Sequence, residues 1–212
     1  THPFKQQITA SITSLAPEAA AIGAVNTVVF RDGHRHGHNT DSWGFAESFR
    51  ETMADALLDR VLQFGAGGGG AAVAHALLEL GAVELLLCDI DGARANRLAG
   101  RLSERFKRPI VAVSDVAAAV EGASGIVNTT PIGMDKYAGT PFPAEFLRPR
   151  HWVADIVYFP SETELLRAAR ALGCRVLSGT GMAVYQAVRA FELFTGVVPD
   201  RGAMLQHFGA AA

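Results

Sequence analysis

The sequence predicts an α/β protein whose main body is a doubly wound parallel sheet, on two observations. Apolar runs alternate with helical stretches from Val61 to Leu177, and a glycine turn joins the first run to the first helix. Val61-Leu62-Gln63-Phe64 is that first run; Gly65-Ala66-Gly67-Gly68-Gly69-Gly70 follows, then an alanine-rich stretch to Leu80-Gly81. The second run, Val83 to Cys88, stops at Asp89. Gly65, Gly67 and Gly70 fill the G-x-G-x-x-G positions, and an acid about 20 residues further on completes a dinucleotide-binding pattern. Gly65 permits the tight turn, Gly67 lets backbone N–H groups approach a pyrophosphate, and Gly70 lets the helix pack on the sheet. The helix N-terminus offers unpaired donors and partial positive charge to the phosphates. Asp89, ending the second strand, can accept both ribose hydroxyls.

Taken in order, the chain opens on Thr1-His2-Pro3-Phe4-Lys5, with Pro3 forcing His2 to be extended. Pro17-Glu18 is a helix start. Gly23 to Phe30 is β-branched and strand-like, Asp32-Gly33 is a hairpin turn, and the return strand reaches Asn39-Thr40-Asp41. Ser42 to Leu58 is helical, with Phe45, Phe49, Met53 and Leu57 at spacings of four, and a domain boundary falls along or just after it. Beyond the glycine unit, Arg94–Phe106 is a second crossover helix and Ile110–Val113 a third strand. Val116–Val120 is a short helix, and Gly125–Asn128 a fourth strand closing on Thr129-Thr130-Pro131-Ile132-Gly133-Met134. Trp152–Tyr158 is a strand; Ser161-x-x-Glu164 is a capping box for a helix ending at Gly173. Arg175–Leu177 is the last strand, and Gly181–Thr195 the final helix.

With 212 residues and a net charge of −2, the chain can bury a core and carries no electrostatic footprint for nucleic acid or an anionic membrane. No apolar run approaches transmembrane length. Cys88 and Cys174 are isolated, so they read as free thiols of a reducing, cytoplasmic compartment. His34, His36 and His38 share one strand face. Three imidazoles can bind zinc, but no carboxylate or cysteine joins them at ligand spacing, and no metal is expected.

Acid–base candidates are few. Lys5 reads as a solvated lysine near a terminus or as a proton carrier, and Asp41 as a helix N-cap or a catalytic carboxylate. Asn26 and Asn39 are turn types, and Gln186 sits on an amphipathic helix. Thr129, Thr130 and Met134 follow a strand end, where open α/β sheets bind ligands.

Six stretches, in order, resemble the shikimate/quinate dehydrogenase family. They are Thr1-His2-Pro3-Phe4-Lys5; Gly23-Ala24-Val25-Asn26-Thr27; Gly37-His38-Asn39-Thr40-Asp41; Gly65 to Gly70; Asp155-Ile156-Val157-Tyr158 with Pro160 and Thr163; and Gly181-Met182 through Gln186 and Phe191 to Thr195-Gly196. The resemblance implies a Rossmann-like dinucleotide domain at 59–178, part of an α/β substrate domain at 1–58, and a helical segment at 179–212 that returns to the substrate domain. It implies Lys5 as catalytic lysine and Asp41 as its partner. Thr1, Lys5, Asn26, Asp41, Tyr158 and Gln186 then hold a polyhydroxylated ring carboxylate. Gly65, Ala66, Gly67, Gly68, Gly69, Gly70, Asp89, Arg94, Thr129, Thr130, Met134, Gly179 and Met182 hold the cofactor.

Cys88-Asp89-Ile90-Asp91 stands where NADP-using members resemble Asn-Arg-Thr, so NAD is expected over NADP, with Arg94 available to stack on adenine. The implied reaction interconverts shikimate with 3-dehydroshikimate or quinate with 3-dehydroquinate, in aromatic biosynthesis or quinate breakdown, by a monomer or homodimer. The family also has a segment ahead of the Thr-x-Pro-x-Lys motif, so the chain reads as N-terminally truncated. Two other readings stay open: a dinucleotide-binding module without turnover, and a two-domain reductase similar to methylenetetrahydrofolate dehydrogenase, which the Lys5/Asp41 pair disfavours.

Overall fold

A computed structural model describes residues 4–211, which form two sheets. After a 3-10 turn at Gln7–Ser11 come β1 (Ser14–Leu15), α1 (Pro17–Ile22), β2 (Thr27–Arg31) and β3 (His34–His38). Asp32 and Gly33 both take positive φ, 51° and 74°, the mirror-image turn that suits the right-handed twist of a hairpin. The small sheet has order β1-β3-β2. Next is α2 (Thr40–Met53), whose N-cap is Asn39: its side chain accepts from the N–H groups of Asp41 and Ser42. Asp41 is therefore not the cap, and its carboxylate is free for other partners.

The main sheet begins with β4 (Arg60–Phe64), α3 (Gly68–Leu80), β5 (Glu84–Cys88), α4 (Gly92–Phe106) and β6 (Ile110–Ala112). It continues through α5 (Val116–Gly122), β7 (Gly125–Asn128), β8 (Trp152–Asp155), α6 (Glu164–Ala171) and β9 (Arg175–Leu177). Its order is β6-β5-β4-β7-β8-β9, with every neighbouring pair parallel. This is the Rossmann-like doubly wound sheet the alternation predicts. The chain leaves β4 in one direction and, from β7, proceeds in the other, so a crevice opens at the carboxyl ends of β4 and β7.

Strand pleating sorts the core. Val61, Leu85 and Leu87 face one helical layer with Ala72, Leu77 and Leu98. Leu62, Phe64 and Leu86 face the other with Val120, Leu165 and Leu166. The long apolar face of α2 joins the first layer: Phe49 packs edge-on against Trp152 at 5.1 Å between ring centroids. The last helices are α7 (Gly179–Thr195) and α8 (Arg201–Ala211). Two glycines let α7 close on α2. A Cβ on Gly44 would stand 2.7 Å from Gln186 N and 2.8 Å from Met182 O, and one on Gly181 would stand 2.1 Å from Ser48 Oγ.

Several boundaries differ from the sequence expectation. The strand expected to reach Tyr158 stops at Asp155, because the Asp155 carboxylate accepts the Val157 N–H and turns the chain. The capping box is not at Ser161; Thr163 caps α6 by accepting from Leu166 N. The helix expected from Gly181 starts two residues early, at Gly179, and it is not the last, because α8 follows. α8 packs Met204, Leu205 and Phe208 on Val184, Tyr185 and Val188, an arrangement that periodicity did not announce.

Candidate active site

The glycine turn takes the form its spacing requires. Gly65 has φ +96°, a conformation that side chains disfavour, and a Cβ on Gly70 would stand 2.3 Å from Gly65 O. Gly67 N-caps α3 with no side-chain cap, and no atom lies within 4 Å of where its Cβ would be. The first-turn N–H groups of α3 thus have no side-chain cap, which fits a pyrophosphate. Ala66 N donates to Asp89 Oδ2 at 2.7 Å, and Asp91 N to Asp89 Oδ1 at 2.9 Å. A carboxylate has about four acceptor sites, so two remain for ribose hydroxyls. Asp91 caps α4 through Arg94 N, and the exposed Arg94 guanidinium stands 3.7 Å from both acids. These residues fit a dinucleotide.

Thr129 and Thr130 spend their hydroxyls on the frame. Thr129 donates to Phe64 O at 2.7 Å and Gly65 O at 2.9 Å, and Thr130 to Asn128 Oδ1 at 2.7 Å. Met134 is part-exposed beside them. Gly179 packs under the Ile156 and Val157 carbonyls, and the Met182 side chain lies in the core.

On the other side of the crevice, Lys5 Nζ pairs with Asp41 Oδ2; the lysine side chain is 18% exposed and the aspartate 2%. Asn26 Nδ2 donates to Asp41 Oδ1 at 2.9 Å, to Thr40 Oγ1 at 3.0 Å and to Gln186 Oε1 at 3.3 Å. Its orientation is fixed, because the Thr40 N–H donates to Asn26 Oδ1 at 2.8 Å and so identifies the oxygen. Lys5, Asp41, Asn26 and Gln186 therefore form one hydrogen-bonded chain across four segments. Gln186, rather than facing solvent, is half-buried in this chain because Gly44 admits α7 so closely. The two halves of the crevice touch: a Cβ on Gly68 would stand 2.8 Å from Lys5 Cβ.

Tyr158 stands on the turn after β8, half-exposed, with its ring edge-on to Phe208 at 6.3 Å, and makes no hydrogen bond to the Lys5 chain among the described residues. Thr1, expected at the ring carboxylate, lies outside the described residues. Asn39 binds backbone instead, capping α2 and donating to Ala24 O. His36 pairs with Ser14 Oγ and His38 with Glu18, and among the described residues no group of three His, Cys, Asp or Glu side chains could hold a metal ion. Among the described residues no helix is long and apolar enough to cross a membrane.

A family model described as the Shikimate 5'-dehydrogenase C-terminal domain matches residues 179–207. A shikimate dehydrogenase (NADP(+)) of Streptomyces avermitilis is 55% identical over 208 residues, which span 97% of this chain and 72% of the relative. The chain belongs to the shikimate/quinate dehydrogenase family. A quinate/shikimate dehydrogenase (NAD(+)) of Corynebacterium efficiens is 48% identical over 204 residues, 94% of this chain and 72% of the relative. The solved structure of quinate dehydrogenase from Corynebacterium glutamicum in complex with NAD matches at TM-score 0.93 and 46% identity, covering 99% of this chain and 76% of that one. Like these relatives, this shikimate/quinate dehydrogenase family member is an oxidoreductase of the NAD(P)-dependent class.

Within the family frame, sequence reading missed a buried glutamine. Gln63 Nε2 donates to Gly65 O at 2.8 Å and Gly70 O at 2.9 Å, clamping the two ends of the glycine turn. The signal was present as the one polar residue inside an apolar strand that enters the turn.

Proposed function

We propose that the chain interconverts a ring secondary alcohol and its ketone, in shikimate/3-dehydroshikimate or quinate/3-dehydroquinate, with Lys5 as the proton carrier. The observation that carries this reading is the enclosed Lys5–Asp41 pair set against the start of α3. A nicotinamide dinucleotide, when bound, supplies the hydride acceptor. Lys5 Nζ takes the hydroxyl proton during oxidation and returns it during reduction. Asp41, held by Asn26, keeps the Lys5 amine in one place and leaves acceptor capacity for a neighbouring ring hydroxyl. Asn26, Gln186 and Tyr158 hold the ring, and Thr1 belongs with them. Residues 1–58 and 179–212 make the ring side, and residues 59–178 the dinucleotide side.

The dinucleotide lies along Gly65–Gly70, with Asp89 at the adenosine ribose. Thr129, Thr130, Met134, Gly179 and Met182 border the nicotinamide end. NAD is the preferred cofactor. The names of the relatives divide between NAD(+) and NADP(+), so the preference rests on Asp89, whose carboxylate accepts a free 2′-hydroxyl and repels a 2′-phosphate.

The test is NADH or NADPH appearance in the near-UV, with either cofactor offered against quinate and against shikimate. Signal with NAD and either acid supports the whole reading. Signal with NADP alone removes the cofactor assignment. Silence in all four mixtures with NADH still bound leaves a dinucleotide-binding module without turnover.

A further inference from the structure

The carboxyl ends of β7 and β8 carry a buried polar knot that joins the cofactor-side loop to the turn bearing Tyr158. Asn128 and Asp155 are register partners, and with Thr163 they are at most 1% exposed. Asn128 Nδ2 donates to Asp155 Oδ1 at 3.0 Å and to Ile132 O at 2.8 Å. Asn128 Oδ1 accepts from Thr130 N at 3.0 Å, and Thr130 Oγ1 in turn accepts from Ile132 N at 3.1 Å. The cofactor-side loop 129–134 is thus shaped from Asn128. On the other side, Asp155 Oδ1 accepts from Val157 N at 3.0 Å and Asp155 Oδ2 from Thr163 Oγ1 at 2.8 Å. Those two bonds set both ends of the turn that carries Tyr158. The halves also pack directly: a Cβ on Gly133 would stand 3.2 Å from Thr163 Cγ2.

We propose that Asp155 is a positioning residue that holds the nicotinamide-side loop 129–134 and the Tyr158 turn in one fixed relation. It touches neither ring nor cofactor. A carboxylate is an unusual choice for so buried a place, since a neutral side chain would escape its desolvation cost. Its two oxygens together accept the three bonds that come from both sides, which a hydroxyl or an aliphatic group could not do. Burial pushes the Asp155 carboxyl up to about 6, against the pull of those three donors. Because the knot lies between β7 and β8, one side chain meets both loops at the switch between cofactor and ring.

This inference rests on the assignments of Tyr158 to the ring and loop 129–134 to the cofactor. The experiment is steady-state kinetics on the active chain and five variants, reading KM separately for the ring acid and for the dinucleotide. Thr163→Val removes the bond to Asp155 and the cap of α6 but none of the hydrogen bonds that shape loop 129–134, so the ring-acid KM should rise about tenfold while the dinucleotide KM stays within about twofold. Thr163→Ser keeps the hydroxyl and should restore the ring-acid KM. Asp155→Ala should raise both KM values, and adding Thr163→Val to it should raise the ring-acid KM no further, because that link is already gone.

Equal movement of both KM values in Thr163→Val, or additive effects in the double variant, would overturn the coupling. If Asp155→Ala does not fold, the Thr163→Val and Thr163→Ser pair still decides. Tyr158→Phe separates the two levels. A raised ring-acid KM in Tyr158→Phe with none in Thr163→Val overturns the coupling alone; no change in Tyr158→Phe overturns the coupling together with the Tyr158 assignment.

Discussion

Lys5 Cβ lies 2.8 Å from the place a Cβ on Gly68 would occupy, so Lys5 and the first residue of α3 pack directly on each other. Gly68 is absent from the G-x-G-x-x-G triplet, and a Cβ there would meet the Lys5 side chain. Its lack of a side chain is explained by Lys5.

The expected consequence is a split between two neighbouring alanines. Gly68→Ala pushes Lys5 aside and should lower kcat by about 10²-fold, the cost of roughly an ångström of misplacement, with the fold intact. Gly67→Ala has nothing within 4 Å of its new Cβ on the protein side, so it should weaken dinucleotide binding and spare Lys5. Lys5→Ala should lower kcat by about 10²- to 10⁴-fold and leave NADH affinity within about twofold. Turnover paired with NADH fluorescence titration checks all three. A kcat in Gly68→Ala equal to that of the parent chain would sever the link.

Asp89 accepts the Ala66 and Asp91 N–H groups, and in the proposed function it also meets the adenosine ribose. Asp89→Asn keeps one backbone acceptor and removes the negative charge. It should lower the NAD over NADP preference by about tenfold, chiefly by improving NADP. Asp89→Ala loses both backbone bonds and should weaken both cofactors. Measuring kcat/KM for each cofactor distinguishes charge from loop support; an unchanged ratio in Asp89→Asn removes Asp89 from cofactor choice.

Two kinds of buried group oppose each other in pH. Burial raises Asp155 from 3.8 to about 6, so between those values the folded chain binds more protons than the unfolded one. Stability from this group is full below the unfolded value and falls as pH rises to about 6, by ~3 kcal/mol in all. Burial lowers His75 and His151 from 6.5, each helped by a nearby arginine. There the unfolded chain binds more protons, so their contribution is full above pH 6.5 and is lost as pH falls. Thermal unfolding across this range should show Asp155→Asn gaining on the parent chain from pH 4 to 6. His75→Phe should gain on it below 6.5. Parallel curves for parent and variant would refute the assignment concerned.

Gly44 and Gly100 make a matched pair inside helices. At Gly44 the new Cβ meets the Gln186 and Met182 backbone, which cannot swing away, so Gly44→Ala should cost ~1–3 kcal/mol and raise the ring-acid KM through Gln186. At Gly100, in α4, nothing lies within 4 Å, and Gly100→Ala should stabilise by ~0.5–1 kcal/mol. Urea titration with a constant m-value reads both; a neutral Gly44→Ala would mean that α2 and α7 can part without loss.

Much of this was legible in the chain. The glycine turn, the alternation behind a doubly wound sheet and Asp89 at a strand end are local patterns, because they depend on backbone freedom and on the pleat. The family motifs identified Lys5 and Asp41 as a pair before any coordinates. What stayed hidden was long-range. Gln63 and Thr163 look like ordinary polar residues, and their roles exist only once Gly65, Gly70 and Asp155 have come within bonding distance. The resemblance names Gln186 as a ring residue, but its bond to Asn26 depends on the glycine of the neighbouring helix, which the amphipathicity of its own helix does not describe.

By itself, the sequence determined the α/β class, the doubly wound parallel sheet, and the residue types available for dinucleotide and proton chemistry. Only the tertiary structure decided which of them meet. Lys5, Asn26, Asp41 and Gln186 lie on four segments, joined by hydrogen bonds spanning up to 160 positions. Such contacts are set by how closely helices pack on one another and on the sheet, and that depends on glycines whose reason for being small lies elsewhere in the chain.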